Sequence, residues 1–95
     1  MIAVSVRDGE IRISGHANYS SIGYDIVCAG VTALMQTLIK SIESLSPDEI
    51  EYEIHPGQAD IYFENLSEKS RTLVDSFFIG ICMIADEFSD HVQIV

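Results

Sequence analysis

The chain has 95 residues, 47% of them apolar, with 5 Lys+Arg against 15 Asp+Glu and a formal charge of −10. That length supports a single domain, residues 1–95, with one two-layer core. The acid excess argues against a nucleic-acid backbone as direct partner, because such binders present basic patches. No run of 18 or more apolar residues suggests a membrane span, no signal pattern opens the chain, and two cysteines are too few for a disulfide framework. A cytoplasmic location with reduced thiols is therefore expected.

Ile2, Val4 and Val6 alternate with Ala3 and Ser5, the period of a half-buried strand. Asp8-Gly9 is a favoured two-residue hairpin turn. Ile11 and Ile13 alternate with Arg12 and Ser14 in a second strand, which runs into Gly15-His16. Residues 17–24 (Ala17, Asn18, Tyr19, Ser20, Ser21, Ile22, Gly23 and Tyr24) have no sustained period and form a candidate covering loop. Asp25 suits a helix N-cap. Val27, Val31, Leu34, Leu38, Ile42 and Leu45 then make one apolar stripe on a helix of about five turns, ending before Pro47.

Ile50, Tyr52 and Ile54 alternate with Glu51, Glu53 and His55. After the Pro56-Gly57 turn, Ala59, Ile61 and Phe63 alternate with Asp60, Tyr62 and Glu64. This is a second hairpin. A second helix starts at Ser67 to Glu68 and runs to about Phe88. Its centre, Phe77 to Ala85, is apolar nearly all round, which suggests burial on more than one side, most simply in a two-fold homodimer, the alternative being a helix sandwiched between the sheet and the other helix. The tail from His91 to Val95 alternates again and suits an edge strand. The expected fold is therefore α+β: two layers, ββαββα with an extra C-terminal strand, two helices packed on a mostly antiparallel sheet.

Two residue types that react near neutral pH flank the loop. His16 ends a strand, and Cys28 is the third residue of a helix, where unpaired N–H groups and the helix dipole favour a thiolate. A Cys–His pair can run nucleophilic catalysis if the imidazole reaches the thiol. The alternative for Cys28 is a small buried hydrophobe. Asp25 can serve as a structural cap or orient His16 as the third member of a triad does. Thr32, one turn beyond Cys28, can bond near the site or return to a backbone carbonyl. The free N–H groups at the helix start, including that of Cys28, are candidate oxyanion donors. Cys82 reads as core, His55 as solvated and His91 as exposed. Their spacing shows no zinc pattern and there is no phosphate-binding glycine loop, so neither a metal nor a cofactor is expected.

Gly15-His16-Ala17, followed by Gly23-Tyr24-Asp25-Ile26-Val27-Cys28-Ala29, resembles the signature of the bacterial ribosomal-processing cysteine proteases, the Prp family. The similarity extends to length and element order, with the sharp part in residues 15–32. It implies that Cys28 is the nucleophile, His16 the general base and Asp25 the motif aspartate. It also implies a homodimer whose loop 17–24 orders over substrate. The substrate so implied is a small basic protein of the large ribosomal subunit, from which an N-terminal extension is removed. Two positions depart from the pattern: Thr32 stands where the family often has serine, and Gly30 where it often has alanine. Threonine keeps the hydroxyl, and glycine costs roughly 1 kcal/mol of helix propensity. Neither touches the dyad. The rival functions are a non-enzymatic ribosome-assembly factor that binds the same basic protein without cutting it, and a structural dimer module with a vestigial site.

Overall fold

In the computed structural model, which describes residues 1–21 and 23–95, the alternating segments pair into one five-stranded sheet. The strands are β1 (Ile2–Arg7), β2 (Glu10–Ser14), β3 (Glu51–His55), β4 (Gln58–Tyr62) and β5 (Val92–Ile94), in spatial order β3-β4-β2-β1-β5. All neighbours are antiparallel except β1 and β5, which run parallel. The register stacks Val4 beside Ile13 and Ile13 beside Ala59, with Ile11 between Val6 and Ile61. The apolar residues of each strand thus share one face, and Ser5, Arg12 and Asp60 share the other.

Two helices cover the apolar face: α1 (Ile26–Leu45) and α2 (Glu68–Glu87). Asp25 caps α1 as expected; Ser67 occupies the N-cap of α2 without a side-chain cap bond. Leu34 of α1 lies against Gly80 of α2, and Gly30 lies against Ile84, so the helices run antiparallel and approach closely where a glycine removes a side chain. By length and composition α1 could cross a membrane. Its buried Val27, Val31, Met35, Leu38, Ile39 and Ile42 instead make it a core helix of this sheet. At its end the buried Ser70 hydroxyl donates to Ser46, while the Ser67 hydroxyl donates to Asp48 at 2.6 Å. The link to β3 is thereby tied to the start of α2.

The structure corrects four expectations. The buried stripe of α1 includes Met35 and Ile39, while Leu34 turns toward α2 and Leu45 is 59% exposed. Every residue of β3 is exposed, including Tyr52 and Ile54 on the helix side of the sheet. The reason is coverage: two helices about 10 Å wide span about four strands spaced 4.8 Å apart, so the fifth overhangs. Cys82 is half-buried rather than core. His91 is half-buried rather than exposed, because its ring packs on Tyr19 and bonds to the Ala17 carbonyl.

Candidate active site

The C-terminal end of β2 meets the start of β4 and the N-terminus of α1. Gly15 leaves β2 with φ +95°, and its N–H donates to the Gly57 carbonyl at 2.8 Å. Gly57 has φ +73°, a conformation that the Pro56-Gly57 turn assigns to glycine. This joint delivers His16 to the rim, exposed, with its ring against the turn. A β-carbon added at Gly57 would stand 2.8 Å from His16 Nε2. The Met1 ammonium donates to the His16 carbonyl at 2.6 Å.

Asp25 organises the other wall. Its Oδ1 accepts from the backbone N–H groups of Val27 and Cys28, both at 3.0 Å, and its Oδ2 accepts from Tyr19 at 3.0 Å and Ser20 at 3.4 Å. One carboxylate therefore caps the helix and holds the first half of the loop. The Cys28 N–H, together with those of Tyr19, Ser20 and Val27, holds the Asp25 carboxyl below the usual carboxylate range, against the opposing effect of burial. This overturns one expectation: the Cys28 N–H is already occupied and is not a free oxyanion donor. Asp25 makes no bond to His16 among the described residues, so its observed role is cap and loop anchor.

Cys28 is half-buried, and its Sγ accepts from the Ala17 N–H at 3.4 Å. Ala17 itself is 1% exposed. His16 and Cys28 line one cavity of about 250 Å³, together with Thr32, Gln36, Ile54 and His55. Thus His16, Cys28 and Thr32 come together, and Asp25 supports them from behind. No hydrogen bond joins the His16 ring to Cys28 Sγ among the described residues; such bonds often tighten only with substrate bound. Of the covering loop, Asn18 takes φ +55°, Tyr19 and Ser20 are bound by Asp25, Gly23 and Tyr24 are exposed, and Ile22 lies outside the described residues. Among the described residues no group of three His, Cys, Asp or Glu could hold a metal ion.

Three participants were not singled out from the sequence: the Ala17 N–H, Gly57 and His91. His91 Nδ1 lies 2.9 Å from the Ala17 carbonyl. His55, expected only in solvent, also borders the cavity. The Pro-Gly turn was visible as a turn, but nothing local says which side chain will rest on it. A contact between positions 17 and 91 has no sequence signal at all.

Comparison with known proteins agrees with this geometry. The family model described as "Cysteine protease Prp" matches residues 1–93. A Bacillus subtilis (strain 168) protein named ribosomal processing cysteine protease Prp is 26% identical over 90 residues, covering 87% of this chain and 80% of that protein. A Staphylococcus aureus (strain Mu50) protein of the same name is 22% identical over 88 residues, covering 90% and 83%. Among solved structures, S. aureus Prp with a covalently linked product peptide superposes with a TM-score of 0.89 at 19% identity, covering 98% of this chain and 94% of the other. A Streptococcus mutans protein superposes with a TM-score of 0.81 at 24% identity, covering 99% and 91%. These likenesses show the same fold.

Proposed function

The chain belongs to the Prp family of cysteine proteases, and we propose that it is a cytoplasmic endopeptidase that removes the N-terminal extension of a small basic large-subunit ribosomal protein. The observation that carries this reading is the cavity shared by His16 and Cys28, with the sulfur at a capped helix start and facing a backbone N–H. The names of the curated relatives support the ribosomal substrate. The charge of −10 supports a basic one, drawn in by electrostatic steering.

In this mechanism His16 takes the Cys28 thiol proton as substrate fills the cavity and brings imidazole and sulfur together. The thiolate adds to the scissile carbonyl carbon. The tetrahedral intermediate collapses, the C–N bond breaks, and His16 returns the proton to the leaving amine. A water, deprotonated by His16, then cleaves the thioester to a carboxylate. The Ala17 N–H, rather than that of Cys28, is the backbone donor within reach of the reacting atoms.

The proposed assembly is a homodimer through α2. Phe78, Ile79 and Met83 are exposed there, the last two at 62% and 68%, on a helix whose Phe77 and Ile81 already face the core. Sedimentation of Met83→Asp should give a monomer where the unmodified chain gives a dimer. The test of the function is intact-mass spectrometry of the candidate ribosomal protein mixed with this enzyme, with Cys28→Ala in parallel. A discrete N-terminal loss seen only with the unmodified enzyme is the expected result. Binding without any mass change would replace the protease by an assembly factor.

A further inference from the structure

We propose that His91 is a positioning residue for the Cys28 sulfur, acting through the backbone of Ala17. The inference deepens the protease reading above and rests on it.

The backbone of His91 is fixed from both sides. Its N–H donates to the Phe88 carbonyl at 2.8 Å, and its carbonyl accepts from the Ile2 N–H at 2.8 Å, where β5 begins beside β1. From this anchored point the ring reaches across 74 positions of sequence to the Ala17 carbonyl, 2.9 Å from Nδ1. A carbonyl only accepts, so Nδ1 carries the proton and donates. Tyr19 then meets the ring edge-on, with centroids 5.2 Å apart and an interplanar angle of 83°, and meets Phe88 in the same way at 5.3 Å and 82°. The ring is held by packing on one side and a hydrogen bond on the other.

What it holds is the residue whose N–H donates to Cys28 Sγ. The Ala17 N–H lies in the peptide plane of the His16 carbonyl, which the Met1 ammonium holds. The Ala17 carbonyl lies in the next plane. Fixing that second plane leaves the two planes, hinged at Ala17 Cα, with less room to turn, and so steadies the N–H. A donor aimed at sulfur favours the thiolate over the thiol, and a donor free to turn away does not. The other titratable groups around this sulfur are His16 and His55, which line the same cavity, Asp25, whose carboxylate is bonded to the Cys28 N–H, and the Met1 ammonium, bonded to the His16 carbonyl. None of them is hydrogen-bonded to the His91 ring among the described residues, whose hydrogen bond goes to Ala17. Backbone position, side-chain donor and loop peptide form one continuous chain from the sheet edge to the reacting atom.

The test compares His91→Ala, His91→Asn and His91→Phe. Asparagine places its Nδ2 where histidine has Nδ1, so it keeps the donor and loses the ring. Phenylalanine keeps the ring and loses the donor. The first readout is the rate of Cys28 alkylation by iodoacetamide at neutral pH, with Cys82→Ser in every protein so that one thiol is counted. The second is kcat and KM on a peptide spanning the cleavage site. His91→Ala and His91→Phe should lower alkylation at neutral pH and kcat by about three- to tenfold, as expected for one hydrogen bond. They should also leave KM within about twofold. His91→Asn should restore both rates. If Phe matches the unmodified chain, or Asn matches Ala, the hydrogen bond has no positioning role and the proposal fails. If Ala does not fold, the Asn and Phe pair decides alone. Alkylation needs no substrate, so absence of cleavage by the unmodified enzyme would sink the protease reading while this series still judged His91.

Discussion

Gly57→Ala perturbs the site without altering a reacting group. Its β-carbon would stand 2.8 Å from His16 Nε2 and 3.2 Å from Cε1, so the ring must retreat by about 0.6 Å to reach ordinary contact. The turn is also asked to hold a left-handed conformation at φ +73°, costing roughly 1–2 kcal/mol for a residue with a side chain. In a domain of this size each kcal/mol lowers Tm by about 4–8 °C. Misplacement of a catalytic group by about 1 Å can cost about 100-fold, so the smaller shift should lower kcat/KM by roughly 10- to 50-fold. Gly9→Ala is the matched control. It has φ +81° and a β-carbon contact of 3.0 Å to the Phe63 carbonyl, at the opposite end of the sheet. Both variants should lose Tm by a similar amount, and only Gly57→Ala should lose activity. Peptide turnover at a temperature where both are folded, with melting curves alongside, decides it. If Gly57→Ala melts early but retains kcat/KM within threefold, the observed placement of His16 does not govern catalysis.

Asp25→Asn should free the Tyr19 and Ser20 amides to faster hydrogen exchange. Because the folded carboxyl lies below its ordinary value, its contribution to stability is complete above about pH 4 and is lost as pH falls through the folded value. The Tm gap between Asp25→Asn and the unmodified chain should thus close on acidification; a gap unchanged at pH 3 would contradict this. Gly30→Ala should raise Tm by a few degrees, since about 1 kcal/mol of helix propensity outweighs a 3.3 Å contact with the flexible tip of Ile84. Gly80→Ala should not, because Leu34 crowds it at 3.0 and 3.1 Å. Cleavage of a basic substrate should slow with added salt, with kcat/KM falling while kcat holds; a flat response would remove steering from the account.

The residues that speak locally were legible. Asp25 followed by a 3.6-residue period marks a capped helix, and Asp8-Gly9 and Pro56-Gly57 mark hairpins, so element order followed from short-range chemistry. Partnership did not. Leu34 and Met35 are both apolar, and only the position of α2 decides that one meets Gly80 while the other meets the sheet. The alternation of Tyr52 and Ile54 identifies a strand, but its burial depends on how many helices are available to cover it. At the site, His16 and Cys28 were conspicuous by residue type and position. The donor that faces the sulfur was hidden because it is backbone, and the ring behind it because 74 residues intervene.

The overhanging strand has a colloidal consequence. An uncovered edge with Tyr52 and Ile54 on one face is a template for clumping between copies. On the other face it carries Glu51 and Glu53, and two such edges brought together antiparallel would set these charges near one another. The acidic surplus, which the interior does not need, thereby opposes pairing of these edges at neutral pH. That protection fades as the solution approaches the isoelectric point near 4.3, where precipitation should begin at β3 while the sheet behind it is still folded.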